Sequence, residues 1–298
     1  MVIEKEGTAE LPLPPYYIIE STNHCNFYCP ICPNAFYKHE KGHMDKRLLM
    51  KILDQISESA RVIQLYWLGE PLLDDTIFEK VKLCKTMTTA KVILSTNGSL
   101  LTEKYTLRLC ESGLDELIVS VDACESQEIY GKIRAGGNLK LLNENLETLL
   151  KYCGRMKVVL QFIDMFVNKC EKDAFLNKWK YCHTEISCLY TWANQIPALN
   201  LSSDHLSPVR EKKRMPCADL WTKMAIHWNG AVSACCFDFA DHIHLGNCTE
   251  ETLFAIWNGE MVKKIRQEHQ RGYYSGLCKK CDAWAEIDEY EDMFHLTT

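Results

Sequence analysis

Tyr16–Cys32, YYIIESTNHCNFYCPIC, is the stretch from which the fold of this chain is read. Its first five residues are β-branched, aromatic or strand-ending, which predicts a strand over Tyr16–Glu20. Three cysteines follow in the spacing C-x-x-x-C-x-x-C: Cys25, Cys29 and Cys32. A strand that runs straight into a loop of three thiols places soft ligands at a strand's C-terminal end, where barrel enzymes collect their chemistry.

Outward from that loop, strand-like and helix-like stretches alternate. Asp45 predicts a helix N-cap, with Leu48, Leu49, Ile52, Leu53 and Ile56 on one face. Further strands are expected at Val62–Trp67, Lys91–Ser95, Glu116–Val121, Lys157–Ile163 and Glu185–Tyr190. Helices are expected from Asp74 or Asp75, after Thr102, near 125–134 and 138–152, and near 171–181. Six β-α units in series imply parallel strands and right-handed crossovers. An incomplete barrel and a doubly wound sheet both satisfy that pattern. The barrel is favoured, because the chemically suggestive residues follow strands.

The pattern changes near residue 200. Asn200–Pro216 carries Ser, Pro, Asp and the basic run Arg210, Lys212, Lys213, Arg214, and reads as a linker. Lys223–Trp228 and Ala231–Cys236 flank Asn229-Gly230, which predicts a hairpin with a type I′ turn. Helices over Thr252–Trp257 and Met261–His269 precede a cysteine-bearing tail. The expected divisions are a tail (1–13), a partial barrel (14–200), a linker (201–216) and a small C-terminal unit (217–298).

Of 298 residues, 47% are apolar and 25% charged, the balance of a globular protein with a sizeable core. The net charge of −6 offers no basic field for nucleic acid or an anionic membrane. Met1 to Glu10 is charged and lacks a signal peptide's apolar stretch, and no apolar run approaches a membrane span. These features predict a cytoplasmic protein whose 16 cysteines stay reduced. Scattered ones such as Cys84, Cys110 and Cys153 read as small buried hydrophobes.

Spacing decides the others. Three clustered thiols suit an iron–sulfur cubane with one iron left open, whereas a structural zinc site would want a closed set of four. A second, closed set is formed by Cys217 before the hairpin, Cys235 at its far end, and Cys278 and Cys281 in a C-x-x-C tail. A hairpin brings its ends together, so these four can meet. Their chemistry admits tetrahedral zinc and a second [4Fe–4S] cluster alike, and Cys236 could replace Cys235.

The Cys25-Cys29-Cys32 spacing resembles the signature of the radical S-adenosylmethionine (SAM) superfamily. Later strand ends carry further similar motifs. Leu68-Gly69-Glu70-Pro71 resembles the family's Gly-Gly-Glu motif, with Leu68 in place of the first glycine. Ser95-Thr96-Asn97-Gly98 resembles the ribose-binding segment. Ser120-Val121-Asp122 with Arg134 resembles the segment that holds the SAM carboxylate. Ile31 stands where the family usually has an aromatic beside adenine. Each residue also has a plainer role open to it, as loop acid, turn, strand-end hydroxyl or helix cation, and it is their order after consecutive strands that carries the resemblance. Residues 217–281 resemble the single-cluster form of the Twitch/SPASM auxiliary domain.

The resemblance implies an α/β fold: a partial (β/α)6 barrel with a small C-terminal β-hairpin/helix iron–sulfur domain. It implies two [4Fe–4S] clusters, held by Cys25, Cys29, Cys32 and by Cys217, Cys235, Cys278, Cys281. SAM would be bound near Ile31, Gly69, Glu70, Ser95, Asn97, Ser120, Asp122 and Arg134. Reductive cleavage of SAM to a 5′-deoxyadenosyl radical and abstraction of a substrate hydrogen would follow. A flavodoxin or ferredoxin would serve as electron donor. The layout is most similar to members that oxidise a secondary alcohol of an aminocyclitol, with the auxiliary cluster as electron acceptor. Maturation of a ribosomal peptide is the alternative, and a non-catalytic metal or electron-transfer protein the remote one. Tyr190, Trp192, Asn194 and Gln195 combine aromatic surface with amide donors and are candidate substrate contacts, or else a loop between domains.

Overall fold

The computed structural model describes residues 10–196 and 214–281. Arg210, Lys212 and Lys213 and nearly all of the expected linker lie outside the described residues. One sheet of nine strands organises the rest: β1 (Tyr16–Ile19), β2 (Val62–Gln64), β3 (Lys91–Thr96), β4 (Glu116–Ser120), β5 (Lys157–Asp164), β6 (His183–Cys188), β7 (Lys223–Ile226), β8 (Ala231–Ser233) and β9 (His244–Asn247). Their order is β6-β5-β4-β3-β2-β1-β7-β8-β9. The first six are parallel and never reverse order. With right-handed crossovers that order keeps every helix on one side of the sheet, as in a barrel, whereas a doubly wound sheet needs a switch point.

The helices are α1 (Lys46–Ile56), α2 (Ile77–Met87), α3 (Glu103–Ser112), α4 (Gln127–Ile133), α5 (Leu139–Tyr152), α6 (Lys172–Lys178), α7 (Asp219–Thr222), α8 (Leu253–Trp257), α9 (Glu260–Gln270) and α10 (Gly276–Lys280). Asp45 caps α1 by accepting from the Arg47 amide at 2.7 Å, and Thr102 caps α3 through Tyr105. Strand alternation divides the faces. Tyr17, Ile19, Ile63, Leu65, Val92 and Leu94 pack with Leu49, Ile52, Leu53 and Ile56 of α1 in the main core. The intervening residues, among them Ile18, Glu20, Gln64 and Ser95, therefore face the other side.

Three local expectations need correction. The turn after β7 is not type I′, because Asn229 does not take a positive φ and Gly230 alone does, at +88°. His227 N donates to Ala231 O at 2.8 Å and Gly230 N to His227 O at 2.9 Å, which is a three-residue loop ending on a left-handed glycine. The second expected helix of the barrel starts later, at Ile77, because Pro71–Leu73 forms a separate 3-10 turn. Strand β9 was not foreseen: His244–Asn247 lacks a strand's alternation and pairs with β8 through a bulge. The hairpin itself does not stand apart. β7 pairs in parallel with β1 from Tyr16↔Lys223 to Ile19↔Ile226 and continues the barrel sheet.

A buried ion pair locks α2 to the end of β1. Lys80 Nζ meets Asp74 Oδ2 at 2.5 Å and lies 3.3 Å from Ser21 O, with both side chains almost fully enclosed. Removing one partner leaves an uncompensated buried charge. Asp74→Ala is expected to cost about 3–5 kcal/mol of stability in urea unfolding, and Asp74→Leu with Lys80→Met to restore most of it.

Candidate active site: two thiol clusters on one sheet

The loop that leaves β1 is clamped from two sides. Asn23 Nδ2 donates to Glu40 O and Asn23 Oδ1 accepts from Gly42 N, both at 2.8 Å, while Thr22 Oγ1 donates to Gly42 O. On the other side Asn34 Nδ2 donates to Leu68 O at 2.7 Å and Glu70 N to His24 O at 2.8 Å. Gly69 is required here. A Cβ on it would stand 2.2 Å from Thr22 O and 2.8 Å from His24 O, so the Leu68-Gly69-Glu70 strand end can lie against the cysteine loop only without a side chain.

Cys25, Cys29 and Cys32 share one pocket and feel one another's charge. Burial pushes the Cys25 thiol up to about 11 and the Cys32 thiol to about 12. Two cations, Arg134 and Lys41, are charge-coupled to both. Glu70 lies within electrostatic reach of Cys25, but Oε1 already accepts from Leu72 N and Thr96 Oγ1, and Oε2 from Asn97 N at 2.7 Å. It therefore supplies no obvious fourth ligand. The donor set fits a three-thiolate cubane with an open iron. Among the described residues no three His, Cys, Asp or Glu side chains close on a single metal ion.

The other expected residues gather round this pocket. Asn97 is tied to the cysteine loop by Nδ2 donating to Asn26 Oδ1 at 2.8 Å. Ser95 is the penultimate residue of β3 and Ser120 the last of β4. Asp122, fully buried with φ +57°, accepts from Ile163 N on Oδ1 and from Arg134 Nε on Oδ2 at 2.5 Å. Burial opposes the Arg134 charge, but Asp122 and Cys29 outweigh it and hold the guanidinium firmly protonated. Ile31 packs with Phe27, Cys29, Ile133 and Met165. Two supports were not legible from the sequence. Glu171 accepts from the amides of Cys124, Glu125 and Ser126, and Asn168 Nδ2 donates to Asp122 O and Ile163 O. Their bonds to Cys124, Glu125, Ser126 and Asp122 span more than forty residues of chain, and no local pattern marks them.

Cys217, Cys235, Cys278 and Cys281, the expected ligands of the second site, are linked by electrostatic coupling. Cys217 is influenced by Cys278 and Cys281, and Cys235 by Cys217 and Cys236. Burial pushes Cys217 up to about 12, Cys278 to about 11, and Cys235 well above the usual thiol range. Cys236 also faces this group, through Cys281. Cys248 instead is enclosed in the main core, as is Cys84, with Cys110 and Cys153 packed against it. Arg214 stacks on Tyr274 at 3.9 Å and donates to Cys278 O at 2.7 Å.

The two sites are joined. Trp67 Nε1 donates to Cys236 O at 2.9 Å. The loop after β6 bridges them as well: Trp192 Nε1 reaches Ile31 O, Asn194 Nδ2 donates to Lys280 O, and Gln195 Nε2 donates to Phe237 O at 2.7 Å. Tyr190 and Trp192 both pack against Phe237. The amides of Asn194 and Gln195 are thus engaged in holding barrel to C-terminal region. No helix among the described residues is long and apolar enough to cross a membrane.

Comparison with known proteins bears on both sites. Residues 19–171 match the radical SAM superfamily and residues 217–282 match SPASM, an iron–sulfur cluster-binding domain. The S-adenosyl-L-methionine-dependent 2-deoxy-scyllo-inosamine dehydrogenase of Niallia circulans is 26% identical over 89% of this chain and 91% of its own. The tungsten-containing aldehyde ferredoxin oxidoreductase cofactor-modifying protein of Pyrococcus furiosus is 32% identical over 46% of this chain, and that match spans only 38% of its length. The crystal structure of BtrN in complex with AdoMet and 2-DOIA superposes with a TM-score of 0.63 at 23% identity, covering 91% of this chain and 94% of that one.

Glu171 offers a test of how the pocket is supported. Glu171→Ala leaves three amides without their acceptor and is expected to cost about 3 kcal/mol or more in urea unfolding. Hydrogen exchange at Cys124, Glu125 and Ser126 should accelerate selectively.

Proposed function

We propose, from the premise that this chain belongs to the radical SAM superfamily, that it oxidises a secondary alcohol of a small hydroxylated metabolite, sugar-like or aminocyclitol-like, to a ketone. SAM is its co-substrate, and the chain carries two [4Fe–4S] clusters. The observation that carries the reading is the second thiol site, coupled to the barrel at Trp67–Cys236. A redox-neutral rearrangement has no use for a second electron-accepting centre, whereas alcohol oxidation must dispose of one more electron. Likeness to the inosamine dehydrogenase over nearly the whole chain supports the same reading.

In this proposal Cys25, Cys29 and Cys32 hold the first cluster, and Cys217, Cys235, Cys278 and Cys281 the second. Together with SAM, the first cluster supplies hydrogen-atom abstraction from carbon. The chain's part is to place the reactants and exclude water. Arg134, aimed by Asp122, offers its remaining donors to a carboxylate. Glu70 fixes the Thr96-Asn97 turn and keeps acceptor capacity for an ammonium. Ser95 and Asn97 offer hydroxyl and amide groups to a ribose, Ser120 belongs with Arg134 to the carboxylate-holding segment, and Gly69 and Ile31 shape the wall. Tyr190, Trp192, Asn194 and Gln195 close the mouth on the substrate's side. A flavodoxin or ferredoxin would deliver the initiating electron.

Anaerobic reconstitution with a substrate deuterated at the carbinol carbon tests this directly. Wild type should load about eight irons, the sum of two four-iron clusters, and move deuterium into 5′-deoxyadenosine as ketone forms. Cys29→Ala should lose 5′-deoxyadenosine formation yet load the second site. Cys278→Ala with Cys281→Ala should keep SAM cleavage and lose ketone. Ketone formed at the wild-type rate by that double variant would refute the electron-acceptor role. Deuterium transfer from a peptide in place of the alcohol would refute the substrate class.

A further inference from the structure

Oxidising an alcohol also releases a proton, and the thiol sites offer no route for it. A line of side chains does. Glu20 follows directly on β1, on the face away from the helices. It is 1% exposed, and its Oε1 has no hydrogen-bond partner. Oε2 accepts from Trp228 N at 3.3 Å and lies 3.7 Å from His227 Nδ1. His227 Nε2 is 2.7 Å from Ser233 Oγ, and Ser233 Oγ is 2.9 Å from Asp241 Oδ1. Asp241 Oδ2 is 2.5 Å from His244 Nδ1, and the His244 side chain is half exposed. From His227 to the half-exposed His244 the line is continuous in hydrogen bonds, and one gap of 3.7 Å, longer than a hydrogen bond, separates it from the buried Glu20 carboxylate.

The directions along it are fixed by chemistry. An Asp241 carboxylate accepts only, so Ser233 donates to it. The Ser233 oxygen must then accept, so His227 carries its proton on Nε2. That tautomer turns the Nδ1 lone pair toward Glu20. We propose that Glu20, His227, Ser233, Asp241 and His244 form a proton relay that takes the substrate hydroxyl's proton from the barrel interior to solvent. The proposal rests on the alcohol-oxidation reading above.

Atoms and charge balance as follows. After the carbon-bound hydrogen has gone, the hydroxyl O–H bond breaks. The proton passes to the Glu20–His227 pair, and the unpaired electron left by hydrogen-atom abstraction goes to an iron–sulfur acceptor as the C=O bond forms. His227 takes the proton at Nδ1 and hands its Nε2 proton to Ser233 as the Ser233 proton moves to Asp241, and the Asp241–His244 pair, having gained one proton, gives one from His244 Nε2 to water. The groups facing the inner end are His39 and Lys41, both charge-coupled to Glu20 and both lowered chiefly by their own burial. The indole of Trp67 covers the His227 ring at 4.4 Å. Asp238, near Asp241, is held by the amides of His242 and Ile243. Glu20 is the candidate catalytic residue, and the other four are positioning residues.

The test uses the reconstituted holoenzyme. Glu20→Gln, His227→Gln and Ser233→Ala should each lower kcat for ketone formation by about tenfold or more, with KM little changed. Each should enlarge the solvent deuterium isotope effect, and added imidazole should rescue His227→Gln. NMR of 15N-histidine-labelled, oxidised protein should show the Nε2–H tautomer at His227, lost in Ser233→Ala and in Asp241→Asn. Loss of activity with an unchanged solvent isotope effect would reduce the network to a structural one, and an Nδ1–H tautomer in wild type would overturn the relay. Failure of the dehydrogenase reading looks different: 5′-deoxyadenosine without ketone in the wild type.

Discussion

The backbone ladder between β1 and β7 is the constraint on which the rest of the molecule depends. It joins a strand near the start of the chain to one near its end, with Tyr16 opposite Lys223 and Ile19 opposite Ile226. Glu20 N extends the ladder by one more bond to Ile226 O at 2.9 Å. Everything placed beyond that edge inherits its register. The first cysteine follows Glu20 by five residues, and β8 ends two residues before Cys235. A slip of one residue would turn Glu20 to the helix face and separate it from His227. The ladder therefore positions both thiol sites and the buried carboxylate together, with no flexible joint between them.

Each thiol pocket also carries one arginine. Buried thiols resist ionisation, and their neighbours make this worse, since each thiolate repels the next. Arg134 offsets this at the first site and Arg214 at the second. An arginine is suited to the task because it stays charged when buried. The two are anchored differently. Arg134 is paired with a carboxylate in a closed interior, while Arg214 lies on the face of Tyr274 and donates to a ligand-bearing turn. The first anchor leaves part of the guanidinium fork pointing at the pocket. The second ties it to the C-x-x-C segment itself.

Strand-loop chemistry was legible in the sequence because it is local. Cys25, Cys29 and Cys32 fall within eight residues, and the six β-α units repeat a period that apolar residues report faithfully. The helix cap at Asp45 and the start of a helix after Thr102 were readable for the same reason. What could not be read depends on residues distant in the chain. Glu171 beneath Cys124, Trp67 on Cys236, and Glu20 beside His227 are meetings created by the sheet order. The hairpin turn failed for a subtler reason. Asn-Gly permits several loops, and the choice fell to the His227–Ala231 pairing, which puts the single positive φ on Gly230. The loop after β6 showed its composition but not its use, because Asn194 and Gln195 spend their amides on carbonyls of the C-terminal region.

Trp67 ties the proposed exits for electron and proton to one side chain. Its N–H holds the Cys236 carbonyl, beside the second thiol site, while its ring covers His227, the second member of the proposed relay. Their closeness has a physical basis. In a low-dielectric interior, moving an electron out without its proton leaves a cationic substrate, and moving a proton first leaves an anionic one, each costing several kcal/mol. Exits that open onto the same indole let both charges leave from one end of the substrate, so that neither separated state need persist. An oxidation carried out this way requires the alcohol carbon to face SAM and the alcohol oxygen to face Glu20. Under that proposal the barrel would discriminate among hydroxyl groups of a polyol by orientation, since only the one lying between those two points could lose hydrogen atom, electron and proton in turn.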